Sequence, residues 1–205
     1  MDFSEFHLPE KYASDSKFIS EWEKMLKGEI YDATYKPFLD LLLRTRKLIK
    51  VYNRLEPDNT DRMQSILTAL LRSTGKNIVI NQPFRCDYGC NISVGENFMA
   101  NFNLTILDEG RVTIGNNVFI GPNVSIYTAC HPIDPVERNK GVEWAEPVNI
   151  GNNVWIGGST TILPGVTIGD NVTIGAGSVV TKDIPANCVA VGNPCRVKRQ
   201  IETEE

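Results

Sequence analysis

The chain has 205 residues, 41% of them hydrophobic, which is enough to bury a sizeable core in one domain or one domain with a small appendage. Its formal net charge of −4 argues against a general nucleic-acid binder, which carries a basic surface. No apolar run reaches the length of a membrane span and the amino terminus (MDFSEFHLPEKY) has no signal-peptide pattern, so five irregularly spaced cysteines point to reduced thiols in the cytosol.

Helical spacing comes first. Phe18, Ile19, Trp22, Met25 and Leu26 predict a helix from about Ser16 to Lys27, with Gly28 as its stop. Phe38, Leu41, Leu42, Leu48, Ile49 and Tyr52 predict a second from Pro37 to Asn53, and Pro57 breaks the chain after it. Met63, Ile66, Leu67, Leu70 and Leu71 predict a third from Asp61 to Arg72, ending near Gly75. Residues 1–75 therefore read as a helical cap rather than an independent fold.

A different period follows. Ile114, Ile120, Ile126, Ile150, Ile156, Ile162, Ile168, Ile174 and Val180 recur every six residues, many followed at once by Gly. Val118, Val124, Val154, Thr160, Val166, Val172 and Ser178, each small or β-branched, stand four residues after such a position. Neither a helix nor an ordinary strand has this spacing, whereas a hexapeptide β-helix does. Three hexads make one turn of a triangular prism, and Gly or Asn supplies the unusual backbone angles at its corners. Tyr88, Val94, Ala100 and Ile106 extend the register upstream, and the step of eight from Ile106 to Ile114 predicts a two-residue insertion near Asp108-Glu109-Gly110. Between Ile126 and Ile150 the register falls on Pro132, Arg138 and Trp144, so residues 129–147 are predicted to be extruded as a loop opening with Cys130-His131-Pro132. The β-helix is thus expected over 76–184 and a tail over 185–205.

The hexads, the His131-Pro132 loop, the run Asn153-Val154-Trp155-Ile156-Gly157-Gly158 and the segment from Gly175 to Pro185 resemble the hexapeptide-repeat acetyltransferases, as does Val191-Gly192-Asn193-Pro194-Cys195-Arg196-Val197. Met25-Leu26-x-Gly28-x-x-Tyr31-Asp32 and Pro83-Phe84-x-Cys86-Asp87-Tyr88-Gly89 resemble the maltose and galactoside O-acetyltransferase branch. The resemblance implies a mainly β fold, a left-handed parallel β-helix with a helical cap and an extruded loop. It also implies a homotrimer with active sites between subunits and direct attack of a sugar hydroxyl on acetyl-CoA, with no metal.

His131 is the expected general base, since imidazole, with an unperturbed pKa near ~6.5, can take a hydroxyl proton at neutral pH. Cys130 beside it is expected to point inward as the small partner of Ile126, and Cys86-x-x-x-Cys90 lacks the second ligand pair of a zinc site. The resemblance implies acceptor contacts from Asp32, Asp87, Asn101 and the Asp108-Glu109 pair, of which either member suits the inward place. Two plain alternatives stand beside these: Asp32 as a helix N-cap before Ala33, and Asn101 as a corner residue. Gly158 stands where a serine would offer a hydroxyl to the oxyanion, so its backbone N–H is the expected donor. Trp155 either walls the cleft or fills a corner. The resemblance places Ala176 and Thr181 along the pantetheine arm, and Lys182, Arg196 and Arg199 near the CoA phosphates, which cations would hold; Lys198 reads equally as solvated tail.

Other functions fit less of the sequence. Another small hydroxyl acceptor, such as an antibiotic or serine, remains an alternative to a sugar. A zinc enzyme of the carbonic anhydrase type needs three histidines, and the chain has only His7 and His131. A non-catalytic solenoid scaffold would not need the histidine loop, the acidic residues and the basic tail together.

Overall fold

The computed structural model describes Tyr12 and residues 14–202; His7 lies outside the described residues. Helix α1 spans Ser16–Lys27, where Asp15 caps the first turn by accepting the Phe18 N–H at 3.0 Å and Gly28 closes the last with a left-handed φ of 75°. Its buried Phe18, Trp22 and Met25 pack with Tyr31, Phe38 and Tyr88 into an aromatic cluster; the Trp22 and Tyr88 rings meet edge to face at 5.4 Å. Helix α2 spans Lys36–Tyr52 with a proline in its first turn, and α3 spans Thr60–Leu70. The third helix ends two residues before the predicted Arg72, because the Arg72 N–H already donates to the carbonyl of Ile92 in the solenoid. Ile66, Leu67, Leu70 and Leu71 plug the open end of the prism core, joining one apolar cluster that runs on to Cys195.

Three parallel sheets form the prism. The first face stacks strands Ser73–Thr74, Ile92–Val94, Val112–Ile114, Val148–Ile150 and Thr167–Ile168. The second stacks Val79–Ile80, Met99–Ala100, Phe119–Ile120, Trp155–Ile156, Thr173–Ile174 and Cys188–Val191, and Arg196–Gln200 closes it antiparallel. The third stacks Phe84–Cys86, Leu104–Leu107, Ser125–Tyr127, Thr161–Ile162 and Val179–Val180. Residues of the six-residue pattern face inward: Ile114, Ile120, Ile126, Ile150, Ile156, Ile162, Ile168 and Ile174 are all at most 3% exposed. Burying each such side chain contributes on the order of 2 kcal/mol. The two polar members satisfy themselves, as Thr160 donates to the carbonyl of Gly157 and Ser178 to that of Gly175.

The edge between the first and second faces is an asparagine ladder. Asn77, Asn97, Asn117, Asn153, Asn171 and Asn187 all hold a left-handed φ of 55–58°, a conformation asparagine tolerates. Each side-chain amide donates to the next one's Oδ1 at 2.8–3.0 Å.

The edge from the third face back to the first is where the register departs from expectation. Cys86, not Tyr88, is the inward residue of its coil: it pairs with Ile106, while Tyr88 joins the aromatic cluster of the cap. A two-residue insertion therefore follows Cys86 as well as Ile106, and it sets Asp87 level with Leu107 and Tyr88 level with Asp108 on successive coils. Tyr88 concealed the first insertion by standing six residues before Val94. At the next coil the chain leaves the prism at Ala129. Val148 takes the inward place expected of Cys130, pairing with Val112, and Thr128 is buried at the corner, its hydroxyl donating to the Leu107 carbonyl and accepting the Gly110 N–H. Cys130 is half-buried in a hairpin instead.

Candidate active site

The extruded segment is a hairpin docked on the cap. Ala129–Cys130 pairs antiparallel with Val142–Ala145, which pairs in turn with Tyr31–Asp32, and the short helix α4 (Pro135–Arg138) turns between them. Glu21 of α1 fixes this arrangement by accepting the Asp32 N–H at 2.8 Å and the Lys24 ammonium at 2.6 Å; the ammonium, first, and the amide hold its carboxyl below the usual range.

His131 leaves the first hairpin strand with its side chain 55% exposed, and its Nε2 lies 3.7 Å from Oε2 of Glu143. That separation is too long for a hydrogen bond. The other oxygen of Glu143 accepts the hydroxyl of Tyr31. Sequence reasoning missed Glu143 and Tyr31, since their juxtaposition depends on strands 112 residues apart in the chain.

The acidic edge lies near the hairpin, since Glu109 and Glu143 both act on Tyr31 and Tyr88. Asp108 is fully buried and accepts backbone N–H groups of Asp87 at 3.1 Å, Tyr88 at 2.9 Å and Asn91 at 3.3 Å. Burial nevertheless dominates these donors and pushes its carboxyl up to about 8. Glu109 is 9% exposed and is pushed up to about 9 by burial first and by the charge of Asp87 second. The sequence left Asp108 and Glu109 undecided. Asp108 is occupied by backbone, while Glu109 keeps one oxygen, Oε2, without a partner among the described residues. Asp108→Ala strands three N–H groups and is expected to cost about 4 kcal/mol. A thermal melt should show this as a fall in Tm of roughly 10 °C, and a change within the error of the melt would remove the knot from the account.

Asp32 lies on the strand that pairs with the hairpin; its carboxylate accepts the Thr34 hydroxyl at 2.6 Å and N–H at 3.1 Å and lies 3.6 Å from the Lys17 ammonium, with Thr34 as first cause of its lowered pKa. It is not an N-cap before Ala33, because α2 starts at Lys36 after Tyr35. Tyr31, pointing to the opposite side of the same short strand, is the residue that reaches Glu143.

The remaining predicted residues split between edges. Asn101, Trp155, Gly158 and Ala176 line one groove of about 420 Å³ at the edge joining the second and third faces, together with Met99, Phe119 and Pro122. Trp155 points outward, 58% exposed, so it walls this groove rather than filling a corner. Gly157 and Ser159 donate their N–H groups to Ile174 and Pro122, whereas the N–H of Gly158 has no such acceptor among the described residues. Gly121 leaves that N–H uncovered, since a Cβ there would stand 2.5 Å from the Gly158 nitrogen. Arg196 and Arg199 lie exposed on the closing strand of the second face, and Arg196 donates to the Cys195 carbonyl at 2.7 Å. Thr181 and Lys182 instead follow the last strand of the third face, on the edge that carries His131.

The cysteines are unpaired. All five are free thiols; burial raises Cys86 and Cys90, and burial followed by Glu146 pushes Cys130 up to about 11. Among the described residues no cluster of three metal-ligating side chains occurs, and no helix is long and apolar enough to cross a membrane.

Three family models match the chain: the maltose acetyltransferase hexapeptide capping motif over residues 24–75, the hexapeptide repeat of succinyl-transferase over 111–133, and the bacterial transferase hexapeptide (six repeats) over 147–182. A maltose O-acetyltransferase of Clostridium difficile is 54% identical in its crystal structure, covering 89% of this chain and 98% of its own with a TM-score of 0.88. Galactoside O-acetyltransferase of Escherichia coli K12 is 43% identical over 89% of this chain and 90% of its own length. A hexapeptide-repeat acetyltransferase of Vibrio cholerae, crystallised with acetyl coenzyme A, is 33% identical, covering 89% and 99% of the two chains with a TM-score of 0.83.

Proposed function

The chain belongs to the hexapeptide-repeat acetyltransferases of the maltose and galactoside O-acetyltransferase type, and from that premise we propose that it moves an acetyl group from acetyl-CoA to a sugar hydroxyl with His131 as general base. The observation that carries the reading is the exposed His131, whose Nε2 lies 3.7 Å from the Glu143 carboxylate on the hairpin. His131 takes the hydroxyl proton as the acceptor oxygen attacks the thioester carbonyl. The Gly158 N–H receives the developing oxyanion, the C–S bond breaks, and the imidazolium returns the proton to the thiolate. Glu143 favours the imidazolium that forms in between, and Tyr31 holds Glu143 in place.

The two halves of this machinery lie on different edges of one prism. His131, Asp87, Glu109, Thr181 and Lys182 follow third-face strands, while Asn101, Trp155, Gly158 and Ala176 follow second-face strands. One chain cannot close the site, but a ring of copies can, with one edge of each facing the other edge of its neighbour. We take the ring to be a homotrimer. Met99, Phe119 and Trp155, stacked outward on the second face, supply an apolar surface for that contact and for the slender pantetheine arm. Arg196, Arg199 and Lys182 are the cations for the CoA phosphates. Free thiols throughout suit a reducing, cytosolic setting.

The test is a panel of acceptors (maltose, glucose, a galactoside, chloramphenicol, serine) incubated with acetyl-CoA while free thiol is followed. Sugars are expected to release thiol at rates well above water; release with chloramphenicol or serine alone would move the acceptor class, and none at all would return the solenoid to a scaffold role.

A further inference from the structure

The third face carries on its outer side, at the cap end, a hollow of about 440 Å³ that the acetyl-transfer reading leaves unused. Helix α2 runs back along the strand Phe84–Cys86 there. Thr45, midway along the helix, donates its hydroxyl to the Tyr88 carbonyl at 2.9 Å. Asn53, at its end, clamps both backbone groups of Phe84 at 2.9 Å. Arg46 and Lys50 lie between these anchors and line the hollow together with Arg85 of the strand. Ile49 and Leu107 give it an apolar lining, Thr105 a hydroxyl level with Arg85, and Asp87 a single carboxylate.

Among the described residues none of the three cations enters an ion pair. Arg46 and Lys50 stand four apart on one helix, where like charges are unfavourable. The negative end of α2 accounts for Lys50 in its last turn, but not for Arg46 a turn earlier or for Arg85. Three cations against one carboxylate leave two positive charges in excess, which a phosphate dianion balances and a carboxylate does not. Two guanidinium forks and an ammonium also suit its several acceptor oxygens. The CoA cations are far off. Arg85 lies in the first strand of the third face and Lys182 follows the last, four coils or about 19 Å along the prism. The acceptor side is nearer. Asp87 is level with Leu107 and Leu107 with Tyr127, two coils or about 10 Å in all, and the His131 hairpin departs at Ala129.

We propose that this hollow is a phosphate site continuing the acceptor cleft, so that a sugar phosphate is taken in preference to the neutral sugar. The proposal rests on the acetyl-transfer reading above and adds the charge class of the acceptor. The phosphate lies among Arg46, Lys50 and Arg85, and the sugar ring extends past Asp87 and Leu107 toward the hairpin. Its hydroxyls donate to Asp87, which keeps the carboxylate from facing the phosphate bare.

Glucose, glucose 6-phosphate and glucose 1-phosphate, assayed with acetyl-CoA on the full chain at neutral pH, are the probes. At least one phosphate should exceed glucose in kcat/KM by about tenfold or more, and added sodium chloride should shrink the gap. Arg85→Ala, and separately Arg46→Ala, should bring that ratio down to about twofold or less. Calorimetric titration of both sugar phosphates without acetyl-CoA gives a readout free of turnover. Each substitution should weaken Kd by about tenfold, the loss of one charge-assisted hydrogen bond. Inorganic phosphate, titrated in the same way, separates the sources. Its binding alongside equal use of all three sugars would mean a site for the free ion only, and overturns the proposal. A sugar-phosphate Kd that neither substitution moves overturns it as well. If no acceptor releases thiol, the parent reading fails instead, and the titrations still decide whether the hollow binds phosphate.

Discussion

His131→Ala is expected to lower kcat for acetyl transfer by about a thousandfold, the usual worth of a positioned general base, while leaving the fold and acetyl-CoA binding intact. The structure explains why the loss should fall on chemistry alone. His131 is 55% exposed on the hairpin, 3.7 Å from Glu143, and outside the buried core. The hairpin itself is held by backbone pairing with Tyr31–Asp32, which the substitution does not touch. Glu143→Gln should act on the same step by a smaller factor, about tenfold, as the loss of one charge worth roughly 1.4 kcal/mol to the transition state. Melting temperature and acetyl-CoA affinity, measured beside kcat, separate the cases. Near-normal turnover without His131 would dismiss it as the base, whatever the acceptor.

The second large effect is a recovery rather than a loss. Asn101→Ala and His131→Ala copies, each nearly inactive alone, should regain activity when unfolded together and reassembled. Asn101 lies beside Gly158 in the groove between the second and third faces, and His131 lies on the edge between the third face and the first. In a mixed ring, about a quarter of the interfaces would pair an intact His131 edge with an intact Asn101 edge. Activity near that fraction of wild type, absent from either variant refolded alone, identifies a site shared between copies. Mixtures as dead as their components would mean that one chain carries the whole site.

The sequence disclosed the frame more readily than the site, for physical reasons that differ from residue to residue. The ends of α1 were visible because Asp15 and Gly28 are local caps whose effect needs no tertiary partner. The prism faces were visible because each inward isoleucine repeats the same environment. Tyr88 misled because an aromatic residue six places before Val94 imitates the repeat, although its ring is drawn into the cap by Trp22 and Phe38. Cys130 misled because departure of the chain at Ala129 handed its expected place to Val148. Glu143 carried no readable signal, since its importance comes from an antiparallel register with Tyr31 that no local pattern encodes. Asp32 was legible only as part of a short motif, and its neighbour Tyr31 gained its contact with Glu143 from the same strand pairing.

The asparagine ladder has a consequence for how such a molecule can change. Successive rungs are separated by 20, 20, 36, 18 and 16 residues, yet every rung makes the same amide contact with the next. Most of that variation in length is absorbed at the opposite edge, in the insertions at Asp87 and Asp108 and in the hairpin that bears His131. The ladder works as a spine that keeps the coils in step however much chain is spooled out across from it. A lineage built this way can lengthen, shorten or exchange the segments that meet the acceptor without renegotiating the core, so new specificities can be grafted onto an unchanged backbone.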